Sequence, residues 1–501
     1  MLAVVAGGVE PSAARAGAKN ELRTARRLDA VRDNPTKLHA FLAAMPKGAD
    51  LHNHLSGAVP TETLVGYAVR DGLCIELATL TAMSAPPPGA ACPSGQRAAA
   101  GSVGDAAFYD QLLRAWSMEG FVSGGAETGH DHFFATFGKF GAATASKGDM
   151  LAAVAEINTD QNVLYLETLV SRQGDAVRRL AQSVGFDANF GAMRDKLRAA
   201  GIADVVRAAS AETDDDVARF ERLLSCRTPA PRPACRLAWR FDYQVGRATS
   251  PEIVFTNLLL GFELQRSDPR YVGVNLVQPE DNPVALRDYA LHMRMIRYLR
   301  SVYPRAHVTL HAGEIVPGLV DAADLRSHIR QAVTIAGAER IGHGVDLVHE
   351  RNYPALLRTM ARRGVLVEAP LTSNAQILGV SGAAHPFGRY RAAGVPVALA
   401  TDDPGVSRID ITHEYEFATR QYDLGYRELK TLARASLEHA FLPGHSLWRG
   451  RMGVRRVAAC ARDVPGGGRP RPRCRAFLRT SAKATVQWEQ EARTNAFERR
   501  R

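Results

Sequence analysis

The chain has 501 residues, 46% of them apolar and 23% charged. That is the balance of a globular protein, with length for one large α/β barrel carrying insertions or for two to three ordinary domains. No apolar run reaches the ~20 residues a membrane-spanning helix needs, so no membrane span is expected. The net charge of +11 comes mostly from arginine and is partly concentrated in residues 449–475. A polyanion site and a solvated Arg-rich tail both account for it. The lack of a nucleic-acid motif or of aromatic stacking residues beside the charge favours the tail, and no nucleic-acid partner is expected.

In chain order, residues 1 to about 18 are rich in Ala and Gly and are predicted to be disordered. Their apolar start, Met1-Leu2-Ala3-Val4-Val5-Ala6-Gly7-Gly8, looks like the end of a signal segment without its basic start. Residues 19–44 read as helical with a break at Pro35. A first strand is predicted over 49–54, then a helix over 61–71 capped by Thr61. Residues 78–104 contain Pro86-Pro87-Pro88 and read as a long irregular insertion. Aromatics at helical spacing predict helices over 108–118 and 133–140, packed over a site or a core.

Seven more strands are predicted at 163–169, 237–244, 271–276, 307–311, 340–344, 365–369 and 397–401. Amphipathic helical segments separate most of them, for example 284–302 and 319–336. Eight strands alternating with helices predict a (β/α)₈ TIM barrel rather than an open doubly wound sheet. Helices at 428–441 and 481–499 follow. The expected organisation is an N-terminal helical extension (1–44), a barrel (45–445) with a long insertion after strand 1 at about 60–130, and a basic C-terminal helical tail (446–501). Neither a P-loop nor a Gly-x-Gly-x-x-Gly after a strand occurs, so nucleotide cradling at a helix N-terminus is not supported.

The six cysteines fall into three local pairs, Cys74/Cys92, Cys226/Cys235 and Cys460/Cys474, none with Cys-x-x-Cys spacing. Even, paired usage suggests disulfides and an oxidising compartment, periplasmic or secreted; six free thiols in a cytoplasmic enzyme are the alternative. Sequence does not settle the connectivity.

The chemistry lies at strand ends. In Asp50-Leu51-His52-Asn53-His54, two histidines two residues apart face the same side of a strand, as two metal ligands would. Such a pair is weak alone, because accident meets it easily. Three further strand ends carry polar groups: His311-Ala312-Gly313-Glu314, Gly342-His343-Gly344 and Thr401-Asp402-Asp403-Pro404. A barrel collects catalytic groups from several strands at this same end. His52, His54, His311 and Asp402 offer three nitrogens and one carboxylate, a set that suits one zinc ion with room for a water. Glu314 is placed to move a proton, His343 to orient or deprotonate the water, and Asp403 to hydrogen-bond a substrate nitrogen. The plainer alternatives are a turn at Asp403-Pro404 and a helix-start carboxylate at Glu314.

These stretches, with Met45-Pro46-Lys47-Gly48-Ala49-Asp50 before the first histidine pair, Ser56-Gly57-Ala58 after it, Leu371-Thr372-Ser373-Asn374 and His385-Pro386-Phe387, closely resemble the adenosine/AMP deaminase family of zinc aminohydrolases, in the same order. The Met-Pro-Lys-Gly opening and the Cys-bearing insertion resemble the secreted, growth-factor-related adenosine deaminases in a bacterial form. The resemblance implies a barrel with zinc on His52, His54, His311 and Asp402. It also implies Glu314 as proton donor to purine N1, His343 assisting the attacking hydroxide and Asp403 orienting the ring, with inosine and ammonia as products. Substrate contacts are expected at Ser56, Gly57, Gln278 and Asp403. Two of these depart from the family pattern. Ser56 stands where well-known members carry a ribose-contacting aspartate, and Gln278-Pro279 stands where a glycine usually faces the purine edge. Two other readings are a zinc hydrolase of the same barrel acting on another amide or ester, and a non-catalytic extracellular binding protein. A purine nucleoside is the expected partner, and a homodimer contact is expected through the N-terminal extension and the insertion.

Overall fold

Eight parallel strands, seven of them buried at every position, form the centre of the computed structural model, which describes residues 11–125, 127–450 and 452–500. They are β1 (Gly48–Asp50), β2 (Val163–Val170), β3 (Ala238–Gly246), β4 (Tyr271–Val277), β5 (Thr309–Ala312), β6 (Arg340–His343), β7 (Leu366–Ala369) and β8 (Val397–Leu399). Strands β1 to β4 pair in sequence order, as do β5 to β8. Parallel bridges Val274–Val308 and Asn53–Asp402 join the two sheets at both seams, closing a TIM-type barrel. All eight predicted strands are present, with ends moved by a few residues. The first is shorter than predicted: regular pairing stops at Asp50, and only single bridges at Asn53 and His54 continue it.

Below the strand ends that carry the predicted site, the barrel interior is ionic. Arg340 on β6 is fully buried, with Nη1 2.6 Å from Glu167, Nη2 3.1 Å from Asp242 and Nε 2.5 Å from Glu368. The ring of Phe441 lies 3.7 Å from its guanidinium carbon. Three carboxylates and one aromatic face let a full charge sit in a dry interior. Glu368 also reaches upward to a predicted metal ligand, as described below.

Residues between β1 and β2 form the insertion. Helix Thr61–Arg70 leads into three short antiparallel strands, Cys74–Glu76 between Thr81–Met83 and Gln96–Ala98. Pro60, not Thr61, occupies the cap position. Helices Ala106–Trp116 and Gly129–Phe140 follow, capped by Asp105 accepting from Phe108 N and by Thr128 accepting from Asp131 N, both at 3.0 Å. The second packs beside helix Leu371–Leu378 over the barrel mouth.

Two predictions need correction. Residues 11–18 are not disordered, because helix Pro11–Val31 begins at Pro11. An Ala-rich run favours helix, and proline suits its first position. The helix docks on Ala482–Arg499, where Arg23 donates to Glu498 O at 2.9 Å; Phe41 of the following helix, Pro35–Ala44, packs 5.2 Å from the ring of Phe497. The signal-like residues 1–8 lie outside the described residues. The helix predicted over 319–336 is instead a turn, a short 3₁₀ segment Asp324–Arg326, one turn at His328–Gln331 and a π-turn at Ala332–Ala336. His328 fixes this break: its Nδ1 lies 2.5 Å from Glu280 Oε1, and its ring stacks on Tyr289 at 3.7 Å.

Each of the three local cysteine pairs is bonded: Cys74–Cys92, Cys226–Cys235 and Cys460–Cys474. The last joins a small apolar cluster with Leu447, Trp448, Ala484 and Trp488, which organises the tail. Among the described residues, no helix is long and apolar enough to cross a membrane.

Candidate active site

The ends of β1 and β8 are interlocked through the backbone. Asp402 N donates to His52 O and His54 N donates to Asp402 O, both at 2.8 Å. This seam brings both histidines beside Asp402. His311, on β5, meets them from across the barrel. Its Nε2 lies 3.1 Å from His52 Nε2 and 3.1 Å from His54 Nε2. Asp402 Oδ1 lies 3.4 Å from His52 Nε2 and 3.3 Å from His54 Nε2. The four side chains can hold one metal ion, as can the adjoining group of Glu314, His343 and Asp402.

The remaining contacts test whether a cation fits. His52 Nδ1 faces Glu368 Oε2 at 2.8 Å, His54 Nδ1 faces Gln244 Oε1 at 3.1 Å and His311 Nδ1 faces Asn275 Oδ1 at 2.9 Å. Each acceptor draws the ring proton to Nδ1 and leaves a lone pair at Nε2. Three lone pairs and a carboxylate then converge on one point, an arrangement that repels itself without a cation. Bonds of ~2.0–2.1 Å to a tetrahedral zinc separate its ligand atoms by about 3.3 Å, close to the spacings here. The donor set therefore fits zinc. Although burial opposes it, Asp402 and Glu368 raise the His52 imidazole to about 10. Burial and the neighbouring His52 and His54 push His311 well below the usual range. A bound cation would displace the cluster's proton.

The other predicted residues surround this cluster. Glu314 follows β5, and its backbone N–H and that of Gly313 donate to Glu280 at 2.9 and 3.1 Å. Burial works against the Glu280 charge, but His328 and Arg247 hold its carboxyl down to about 2, so it stays an anion that anchors this turn. Burial and then Asp402 push Glu314 up to about 8. The same two causes push Asp403 well above the carboxylate range. Burial lowers His343, whose Nε2 lies 3.6 Å from Glu314 Oε1. Ser373 Oγ donates to Asp402 Oδ2 at 2.7 Å. Asp402, His343 and Gln278 all have positive φ, at 61°, 69° and 82°. Three non-glycine residues in this region at one barrel mouth mark a strained, over-determined site.

A cavity of about 330 Å³ opens onto this mouth, within the range of small-molecule sites. His54, His311, Asp402, Glu314, Asp403, Ser56 and Gln278 all line it. Gly57, expected as a substrate contact, does not. Its bare Cα instead makes room for Asp403, since a Cβ there would stand 1.7 Å from Asp403 Oδ1. Gly342 plays a similar part for His52, whose Cε1 would lie 2.5 Å from an added Cβ. The aromatic helix expected over 133–140 to pack on a site or a core supplies Phe133, Phe134 and Phe137 as walls of this cavity. Sequence reasoning missed Glu368, Gln244, Asn275 and Glu280, polar residues in or just after strands whose inward direction only the closed barrel reveals.

The adenosine deaminase family model matches residues 268–448. Over 136 residues the chain is 42% identical to an adenosine deaminase of Serratia proteamaculans (strain 568), covering 27% of this chain and 38% of that enzyme. Over 137 residues it is 40% identical to an adenosine deaminase of Escherichia coli (strain SE11), with the same coverage. The matched region thus spans under two-fifths of these relatives' length. The apo structure of the N6-methyl-AMP deaminase from Arabidopsis thaliana superposes with a TM-score of 0.52 at 19% identity, over 81% of this chain and 94% of that one, a likeness of fold. The family model thus matches the second barrel half, and over the rest of the chain the likeness is one of fold.

Proposed function

We propose that this chain is a zinc-dependent aminohydrolase that converts adenosine, deoxyadenosine or a close 6-aminopurine nucleoside to the 6-oxo product and ammonia. The supporting observation is that His54, His311, Asp402, Glu314 and Asp403 all open on one cavity. His52, His54, His311 and Asp402 would hold the zinc, which when bound acidifies water and supplies a nucleophile at neutral pH. Glu314, kept protonated by burial and Asp402, donates its proton to purine N1 and makes C6 electrophilic. Asp403, kept neutral by the same causes, donates a hydrogen bond to N7, which only accepts. The phenylalanine walls exclude water from the ring.

Among the described residues lining the cavity there is no lysine or arginine. A 5′-phosphate would find no cationic partner there, which favours nucleosides over nucleotides. The three disulfides support an oxidising compartment and, with the Met45–Gly48 opening, the secreted subgroup. The test is the ultraviolet change from adenosine to inosine, run on zinc-loaded protein with adenosine, deoxyadenosine and AMP. Turnover of the nucleosides and little of AMP is expected. No turnover of any 6-aminopurine would overturn the proposal.

A further inference from the structure

The His385-Pro386-Phe387 stretch has no place in the chemistry above, yet it is tied to the site. His343 Nδ1 lies 2.8 Å from Asn374 Oδ1, and Asn374 Nδ2 lies 2.9 Å from His385 Nε2. His385 Nδ1 accepts from Phe387 N at 3.0 Å. Asn374 and His343 are fully buried and His385 is 4% exposed, so water does not rearrange this chain.

The only donor of fixed direction in the chain is the Phe387 backbone N–H. It requires a lone pair on His385 Nδ1. A neutral imidazole then carries its proton on Nε2, and burial keeps His385 neutral at neutral pH by lowering it to about 4. His385 Nε2–H then cannot face the NH₂ end that lies against it, so the Asn374 amide must be turned over to present its oxygen to His385. The NH₂ end is then turned to His343 and donates to Nδ1. The two ends of an amide have the same shape, so the hydrogen bonds decide its orientation. With a lone pair on Nδ1, His343 carries its proton on Nε2. Among the described residues that nitrogen has no hydrogen-bond partner, and it lies 3.6 Å from Glu314 Oε1 and 3.9 Å from Asp402 Oδ2.

We infer that Phe387, His385 and Asn374 form a relay that fixes His343 as a hydrogen-bond donor to the reacting oxygen, so that His343 does not act as the base. Asn374 and His385 are positioning residues in this scheme. Its kinetic consequence rests on the proposed deamination; the tautomer itself does not. With no lone pair on Nε2, His343 cannot take a proton from water, and Glu314 carries the proton traffic. Glu314 gives its proton to N1, takes one from the attacking water as the C6–O bond forms, and passes it to the amine. As the C6–N bond breaks and ammonia leaves, the C6 hydroxyl proton returns to Glu314, which is restored. The product keeps the proton on N1.

The decisive measurement is ¹⁵N NMR of ring-labelled histidine in the full-length protein, with and without added zinc, His343 being assigned through His343→Gln. Expected are a protonated Nε2 and an unprotonated Nδ1. A His343 protonated at Nδ1 in the wild type would overturn the relay, whatever the enzyme turns over. Asn374→Asp supplies an acceptor-only side chain and should move the proton to Nδ1. That change should lower kcat ~10²-fold, as for loss of one oriented donor, with KM within about threefold and zinc content unchanged. His385→Gln keeps an acceptor for Phe387 and a donor for Asn374, and should keep the wild-type tautomer and most of kcat. Wild-type kcat in Asn374→Asp with the proton moved would refute the donor role.

Discussion

Substituting Gly57 with alanine separates positioning of Asp403 from folding. Gly57 sits in the short helix Leu55–Ala58, directly after the β1 histidines. An added Cβ would meet Asp403 Oδ1 at 1.7 Å, Cγ at 2.5 Å and Cβ at 2.8 Å. To reach ordinary contact at 3.4 Å, the Asp403 oxygen must retreat by about 1.7 Å. A misplacement of ~1 Å can cost ~10²-fold in rate, whereas one methyl in a packed interior costs about 1–3 kcal/mol of stability. Gly57→Ala should therefore remain folded and hold one zinc per chain, while kcat/KM for adenosine falls ~10²-fold. Thermal melting, metal analysis and steady-state kinetics read the three quantities. Wild-type kcat/KM in the folded variant would refute the placement of Asp403 against the substrate.

Glu314→Gln should keep zinc and lose roughly 10²-fold or more in rate. The folded pKa of Glu314 is raised to about 8 from the usual 4.5, so it holds its proton at pH 7 and loses it as pH rises through that value. Wild-type activity should fall on the alkaline side, and the low residual activity of Glu314→Gln should lack that limb; an identical limb in both would misassign the group. Glu368→Gln replaces the carboxylate that faces His52 Nδ1 at 2.8 Å, while Arg340 keeps Glu167 and Asp242. Zinc affinity, read by chelator competition, should weaken 10–100-fold, and an unchanged affinity would contradict the role given to Glu368. Thiol titration of the unfolded, unreduced protein should find no free thiol, and six after reduction. The bonds span 18, 9 and 14 residues, each worth about 3 kcal/mol by chain entropy, so reduction should lower Tm. Six free thiols before reduction would exclude the bonds.

The barrel was legible because parallel strands buried on both faces read as continuous apolar runs. Tyr271–Val277 is buried at every position, and the same is true of Val163–Val170. The four polar strand ends were legible because each carries its functional groups within a few residues of such a run. Other features depend on contacts distant in sequence. Glu368 matters because β7 places it between Arg340 and His52. Phe134 and Phe137 matter because the insertion folds back over the mouth. The pattern over 319–336 is amphipathic enough for a helix, but the pairing of His328 with Glu280 breaks it. At Pro11–Val31 the error was one of weighting: Ala content was read as low complexity rather than as helix propensity. That Gly57 makes room for Asp403 follows from the closed barrel seam, which the sequence does not show.

The most direct test of the central claim is a zinc titration of metal-depleted protein, following ammonia release from adenosine at each step. Activity should rise in proportion to bound zinc, saturate at one ion per chain and vanish in His52→Ala, which should bind no zinc at this site. Turnover by the metal-free chain, or none with one zinc bound, would contradict the assignment of His52, His54, His311 and Asp402.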